Sequence, residues 1–392
     1  MSGIYKNISL LKIDAFFNGL WILNPFEIIY FEQITHSYAL SMLIWSISSL
    51  TQTLTEIPAG LISDRIGRRK TLICASFCIF FCFLLWAIAG NLQSSFLLFL
   101  GAILWGISDS FLSGTNEALI FETMEELGKK NDFDLLYSKT NFWGQCGLAL
   151  SALLAMFLSF YCSIHTIAWI SVFPMMGQIM TAFLLVEPVR TKKQKFCTSW
   201  NQFVNALKAL IHNHHLTFYS FITVIDESIT NGFNRMEAAY YQSIVKEWCI
   251  SFCRLLKQIS GMVGFALIKY LKRIDSVKMF FGSVGLSAIL NIIGIILNNF
   301  ISPFIMSITN LFWGTSLTAR TNILQQEFSP NMRATMQSII EFIKGIAMAL
   351  IMFVFGILAD ISSPKMVIVL IILIKALMVI LSLTLFKKYA KE

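Results

Sequence analysis

The chain has 392 residues, 56% of them hydrophobic and 13% charged, with a formal net charge of +8. A soluble domain could not bury that apolar fraction in one core, so the composition points to a membrane-embedded, all-α protein. The cations sit in connections and at the ends of apolar runs, where they orient a chain across a bilayer; they do not imply a nucleic-acid partner.

The apolar runs predict about twelve spans, each long enough to cross the hydrocarbon core as a helix: 8–31, 38–59, 71–89, 95–119, 140–161, 165–187, 215–241, 248–270, 277–297, 301–325, 335–359 and 364–386. Span 1 carries Asp14, Asn18, Trp21, Asn24 and Glu27. Those polar residues, and the lack of a small-residue cleavage site, distinguish it from a signal peptide. Asn24-Pro25 can break it. Between spans 2 and 3 lies Gly60-Leu61-Ile62-Ser63-Asp64-Arg65-Ile66-Gly67-Arg68-Arg69-Lys70. A connection this short makes the two spans antiparallel neighbours. Gly60 and Gly67 permit a sharp bend. Asp64 can hold a guanidinium of Arg65, Arg68 or Arg69 in a two-pronged contact.

Span 3 repeats Cys74, Cys78 and Cys82 on one face, and span 8 holds Cys249 and Cys253. Small packing residues explain both sets better than disulfides or metal ligands. His212, His214 and His215 cluster without an acid or cysteine to complete a metal site, so no metal is expected. In span 4, Asp109 and Asn116 are seven residues apart, two turns along one face of a helix, with Glu117 beside them. Span 7 carries Asp226, Glu227, Asn231, Arg235, Glu237 and Tyr240, and span 10 carries Arg320.

The cation-rich connections alternate with connections poor in Lys and Arg, which places both termini on the cytoplasmic side. The longest connection, 188–214, is polar and basic and divides the chain into halves 1–187 and 215–392. Each half echoes the other. Trp105-Gly106 recurs as Trp313-Gly314, and Asn18-Gly19 before Glu27 recurs as Asn231-Gly232 before Glu237. Gly264 to Arg273 is a worn copy of the charged turn. Parallel repeats of this kind are a device of secondary transporters.

Charged residues at membrane depth are costly and mark pathways. Asp109 and Glu117 are the first candidates to carry a proton, with Asp14, Glu27, Asp226 and Glu237 as rivals. A carboxyl group out of water can load and release a proton near neutral pH. Asn18, Trp21, Asn24, Asn116, Asn231, Arg235, Tyr240 and Arg320 are candidates to line a substrate cavity. Arg235 and Arg320 could neutralise some of the acids but not all of them. No nucleotide loop or hydrolase elbow is present, so neither enzymatic activity nor ATP-driven transport is expected.

The order of residues in Gly60–Lys70 resembles the signature between the second and third helices of the major facilitator superfamily. The resemblance implies two six-helix halves that rock about a central cavity, lined by the first, fourth, seventh and tenth helices. It gives Gly60, Asp64 and Arg68 the role of a cytoplasmic gate, with Arg65, Gly67 and Arg69 completing the motif. Phe328 to Thr335 is similar to the family's segment between the tenth and eleventh helices. An arginine common in span 4 of drug antiporters is missing here, as is their G-x-x-x-G-P-x-x-G-G run in span 5. Ser113 to Ile120 looks like a segment of members grouped with macrolide-type exporters.

Together these readings predict a secondary transporter in a bacterial inner membrane, acting as a monomer with no cofactor and powered by the proton gradient. Its partners are a small organic solute, protons and the lipid bilayer. The expected activity is proton-coupled efflux of a drug or metabolite. An acidic, aromatic-rich cavity would favour a lipophilic cation. Uptake symport of a metabolite or siderophore, or a non-transporting receptor or assembly role, are the alternatives.

Overall fold

A computed structural model describes residues 4–129, 132–189, 207–208, 212, 214–271, 274–327 and 333–389. The described residues are helical with short connections and form no strand. The chain divides into two compact units, Met1–Lys195 and Phe196–Glu392. The boundary falls inside the predicted connection 188–214, most of which lies outside the described residues, as does much of the segment from Phe328 to Thr335.

The first unit comprises α1 (Tyr5–Gly19), α2 (Glu27–Thr35), α3 (Tyr38–Ile66), α4 (Arg68–Leu92), α5 (Ser95–Leu112), α6 (Thr115–Glu126), α7 (Phe133–Leu158), α8 (Ile164–Ile170) and α9 (Val172–Leu184). The second comprises α10 (His214–Gln242), α11 (Glu247–Leu271), α12 (Ser276–Leu297), α13 (Ser302–Ile308), α14 (Asn310–Glu327), α15 (Arg333–Ile361) and α16 (Pro364–Tyr389). Among the described residues, seven stretches are long and apolar enough to cross a membrane, including Arg68–Leu92, Ser95–Glu126, Ser276–Leu297 and Thr335–Ile361. The helices α1, α10 and α14, which carry Asp14, the span 7 charges and Arg320, are not among the seven. Of these, α1 is too short at 15 residues, while α10 and α14 carry charges that need a protein environment rather than lipid.

The two units repeat one packing scheme. In the first, α1 packs on α7 and α9, α5 on α3 and α4, and α4 on α9. In the second, α10 packs on α15 and α16, α14 on α11 and α12, and α12 on α16. The repeated Trp-Gly dipeptides explain part of this correspondence. A Cβ on Gly106 of α5 would lie 2.5 Å from the Ser48 carbonyl oxygen of α3, and one on Gly314 of α14 would lie 2.9 Å from the Phe265 nitrogen of α11. Both helix pairs approach too closely for any larger residue.

Five predicted elements differ in detail, the least of them span 6, which is split at Ser171 between α8 and α9. Span 1 is not one helix: α1 stops at Gly19, and a 3-10 turn, Asn24–Phe26, precedes α2. Pro25 sits inside that turn, but the break begins five residues earlier, at Leu20, whose N–H bonds Phe17 O at 3.0 Å. The charged stretch Gly60–Lys70 is not a loop. Gly60 to Ile66 are the last turns of α3, Arg68 opens α4, and Gly67 alone joins them at φ +105°. Gly60 therefore makes no bend. Span 4 is interrupted at Ser113–Gly114, where Gly114 has φ +67°. Span 10 restarts at Asn310 after the short α13.

The interior of the first unit is aromatic. Trp21, Trp45, Phe83, Trp86 and Trp105 form one cluster, with Trp86 stacked on Trp105 at 5.5 Å and Trp21 at 4.6 Å from Trp105. Such pairs contribute about 0.5–1.5 kcal/mol each beyond their buried area. The Trp86 indole donates to Leu98 O at 3.1 Å, which ties α4 to α5.

Candidate functional site

The junction of α3 and α4 gathers the charges that the sequence singled out. Arg68 Nη2 lies 2.8 Å from Asp64 Oδ1, one helical turn earlier, across the Gly67 joint. The same guanidinium reaches Glu122 Oε1 of α6 through Nε at 3.2 Å and donates from Nη1 to Ser63 Oγ at 2.9 Å. Arg68 is thus shared by two carboxylates, and the contact is not the Asp64 fork alone. Glu187, just past α9, accepts the Arg68 N–H at 2.7 Å and the Arg69 N–H at 2.8 Å. It therefore caps two of the orphan donors at the α4 N-terminus, where the helix dipole also favours an anion. Arg69 Nη2 donates to Phe183 O at 2.6 Å. Glu122 and Glu187 lie far from the motif in sequence, and no spacing rule identifies them. Arg65 is exposed.

Among the candidate acids of the first unit, Asp14 is buried, 4% exposed, and accepts a hydrogen bond from Thr181 Oγ1 at 2.8 Å. Among the described residues no Lys or Arg lies within ion-pair distance of it. Glu27 is buried at the start of α2. Asp109 is half-buried and accepts the Trp105 indole N–H at 2.9 Å. Glu117 is exposed and accepts the Tyr137 hydroxyl at 2.8 Å. The single face expected for Asp109 and Asn116 does not form, because the Gly114 break separates them into α5 and α6. Asn116 is half-buried and Asn18 exposed, while Asn24 and Trp21 are buried, the latter in the aromatic cluster.

The second unit contrasts with this, because its acids are neutralised. Glu237, on α10, meets Lys257 Nζ at 2.5 Å and Arg254 Nη1 at 3.1 Å, both from α11. Asp226 lies 3.5 Å from Lys375 Nζ of α16 and 3.9 Å from Arg320 Nη1 of α14. Glu227 pairs with Arg320 Nη2 at 2.6 Å and Lys344 Nζ at 3.1 Å, and Lys344 also holds Glu341. The expectation of more acids than bases is corrected here: Arg254, Lys257, Lys344 and Lys375 join Arg320. Arg254 and Lys257 stand three apart inside an apolar span, and that interruption was their signal in the sequence. Asn231 Nδ2 donates to Glu227 O at 2.9 Å, and Tyr240 donates to Asn298 Oδ1 at 3.2 Å. Arg235 is half-buried.

Comparison with known proteins agrees with this architecture. The family described as Major Facilitator Superfamily matches residues 15–342. A Na(+), Li(+), K(+)/H(+) antiporter of Planococcus maritimus is 27% identical over 205 residues, covering 50% of this chain and 47% of that protein. The uncharacterized MFS-type transporter YxaM of Bacillus subtilis (strain 168) is 31% identical over 115 residues, covering 29% and 27%. The chain thus aligns with about half or less of these relatives' length. Among solved structures, a mutant form of the nucleoside transporter NupG superposes with a TM-score of 0.82 at 14% identity, covering 97% of this chain and 99% of that one. The D-xylose-proton symporter gives 0.70 at 12% identity, covering 96% and 97%. At these identities the likeness shows the fold.

Proposed function

Because the chain belongs to the Major Facilitator Superfamily and is a transporter of the secondary kind, not an enzyme, we propose that it exchanges protons for a small organic solute, moving the solute outward across a bacterial inner membrane with both termini in the cytoplasm. The observation that carries the proton reading is Asp14. It is a buried carboxyl group whose neighbour is a hydroxyl and not a cation. Among the described residues no positive charge beside it holds the ionised form, so it can take up and release a proton as the environment changes. Asp109, hydrogen-bonded by an indole, and the exposed Glu117 are weaker carriers on this argument.

The knot of Asp64, Arg68, Glu122 and Glu187 supports the gating part of the reading. It fixes the α3–α4 joint with ionic hydrogen bonds whose partners come from α6 and the end of α9. Such a joint can hold one arrangement and release it as a unit. The antiporter named among the relatives supports exchange rather than symport.

The test uses everted vesicles that acidify their interior, with acridine orange reporting the gradient. Ethidium, sodium, potassium and a metabolite panel are added in turn. A solute that dissipates the gradient in wild-type vesicles should not do so with Asp14→Asn, while counterflow of that solute persists. Unchanged dissipation in the variant removes Asp14 from the mechanism. Solute entry that requires an inward proton gradient selects uptake symport, and silence across the panel selects a receptor or assembly role.

A further inference from the structure

The second unit holds a partly open cavity of about 50 Å³ between α10, α11, α12, α14 and α16. One water needs roughly 10–15 Å³ of such space, so the cavity admits a few waters or one small polar group, not a whole solute. Its charged lining is two ammonium groups, Lys257 and Lys375, and one carboxylate, Asp226. We propose that this cavity binds a small anion, either a free inorganic anion or the carboxylate end of a transported solute; the second source rests on the transport reading above.

The donors are in place. An ammonium has three N–H groups. Lys257 directs one to Asn234 Oδ1 at 2.7 Å and one to Glu237 Oε1 at 2.5 Å. Lys375 directs one to Thr230 Oγ1 at 2.6 Å and faces Asp226 Oδ1 at 3.5 Å. Each therefore retains an N–H beyond these bonds, and both lysines line the cavity. Asp226 does not lock Lys375, since 3.5 Å exceeds the roughly 2.7–2.9 Å of a charge-assisted hydrogen bond. An entering anion could make that bond instead.

Asn291 points the same way. It lines the cavity and is 6% exposed, and its Oδ1 has no hydrogen-bond partner. Its Nδ2 makes a 3.4 Å contact with Ser287 Oγ. Turning the amide over lets its oxygen accept from Ser287 and presents its NH2 to the cavity, a third donor beside the two ammonium groups. A metal cation is the poorer occupant, because two ammonium groups would repel it and Asp226 is already shared by Lys375 and Arg320. A lipophilic cation is a poor occupant of this pocket for the same reason.

The experiment measures thermal unfolding of the full-length protein in nanodiscs, at constant ionic strength. The bulky sulfonate HEPES is the reference anion, and chloride, acetate and hexanoate are titrated against it. A saturable rise in Tm is expected with at least one of the three. Chloride alone marks a free-anion site; acetate and hexanoate, with the longer chain binding tighter, mark the head of an organic solute. Lys375→Met should weaken the response by roughly tenfold or more, the effect of losing one charged donor. Asn291→Asp places a carboxylate inside the cavity where the lysines can pair with it; it should fold and abolish the response. No anion-dependent shift in the wild type, or an equal shift in Asn291→Asp, overturns the proposal. Neither result depends on proton movement, so the site and the Asp14 reading fail separately.

Discussion

Asp14 and Glu237 are both carboxylates at 4% exposure on the leading helices of their units, α1 and α10. One sits beside a threonine hydroxyl; the other sits under a lysine and an arginine. The difference extends to the surroundings. Trp105 closes an aromatic core in the first unit, whereas its repeat, Trp313, borders the polar cavity in the second. Two units with the same helix pairings have diverged in what fills them. The scaffold needs the close helix contacts at Gly106 and Gly314, but it tolerates either stacked indoles or ion pairs inside. The first unit is left with a buried acid beside a hydroxyl, and the second with acids paired to lysine and arginine.

The largest test of this contrast is Glu237→Gln. It removes the counter-charge of two cations, and losing one side of a buried pair costs about 3–5 kcal/mol. Tm in nanodiscs should fall steeply, and Glu237→Gln with Lys257→Met together should recover part of the loss. A fall no larger than that of Asp14→Asn would erase the distinction between the units. Next come Gly106→Ala and Gly314→Ala. Each forces a methyl group against backbone, at a cost of about 1–3 kcal/mol, with Gly106 the worse because its clash is 2.5 Å against 2.9 Å. Equal Tm losses would mean that the second pair of helices gives way no more easily than the first.

Glu187→Ala should cost about 1 kcal/mol, the usual effect of a lost helix cap, and should raise hydrogen exchange at the Arg68 and Arg69 amides. Unaltered exchange there would show that Glu187 is dispensable at the joint. Asp14→Asn should have the smallest effect, under about 1 kcal/mol, because asparagine can still accept from Thr181 and no cation loses a partner. A Tm loss approaching that of Glu237→Gln would indicate a charged partner for Asp14 and end the comparison.

Much of this was legible in the sequence. Apolar length gave the spans, the Trp-Gly echoes marked real helix contacts, and the family signature placed Asp64 beside Arg68. Other features were not, for physical reasons. Glu122 and Glu187 act across the fold, and contact between distant residues leaves no local pattern. The break after Gly19 is formed without a proline at the site, so hydropathy ran straight through it. Gly114 was one glycine in a permissive stretch, and only its positive φ separates Asp109 from Asn116. Arg254 and Lys257 were visible as charges in an apolar run, but their shared acid, Glu237, lies on another helix.

The grip of Glu187 on α4 also has a mechanical side. Two residues beyond it, the Val189 N–H donates to Glu126 Oε2 of α6 at 2.7 Å. A pull on the chain past Val189 loads that bond first and then the two from the Arg68 and Arg69 amides to Glu187, before it reaches α9. Tension at this end of the first unit is therefore shared between α6 and the Gly67 joint, and residues 187–189 act as a tether with two anchors.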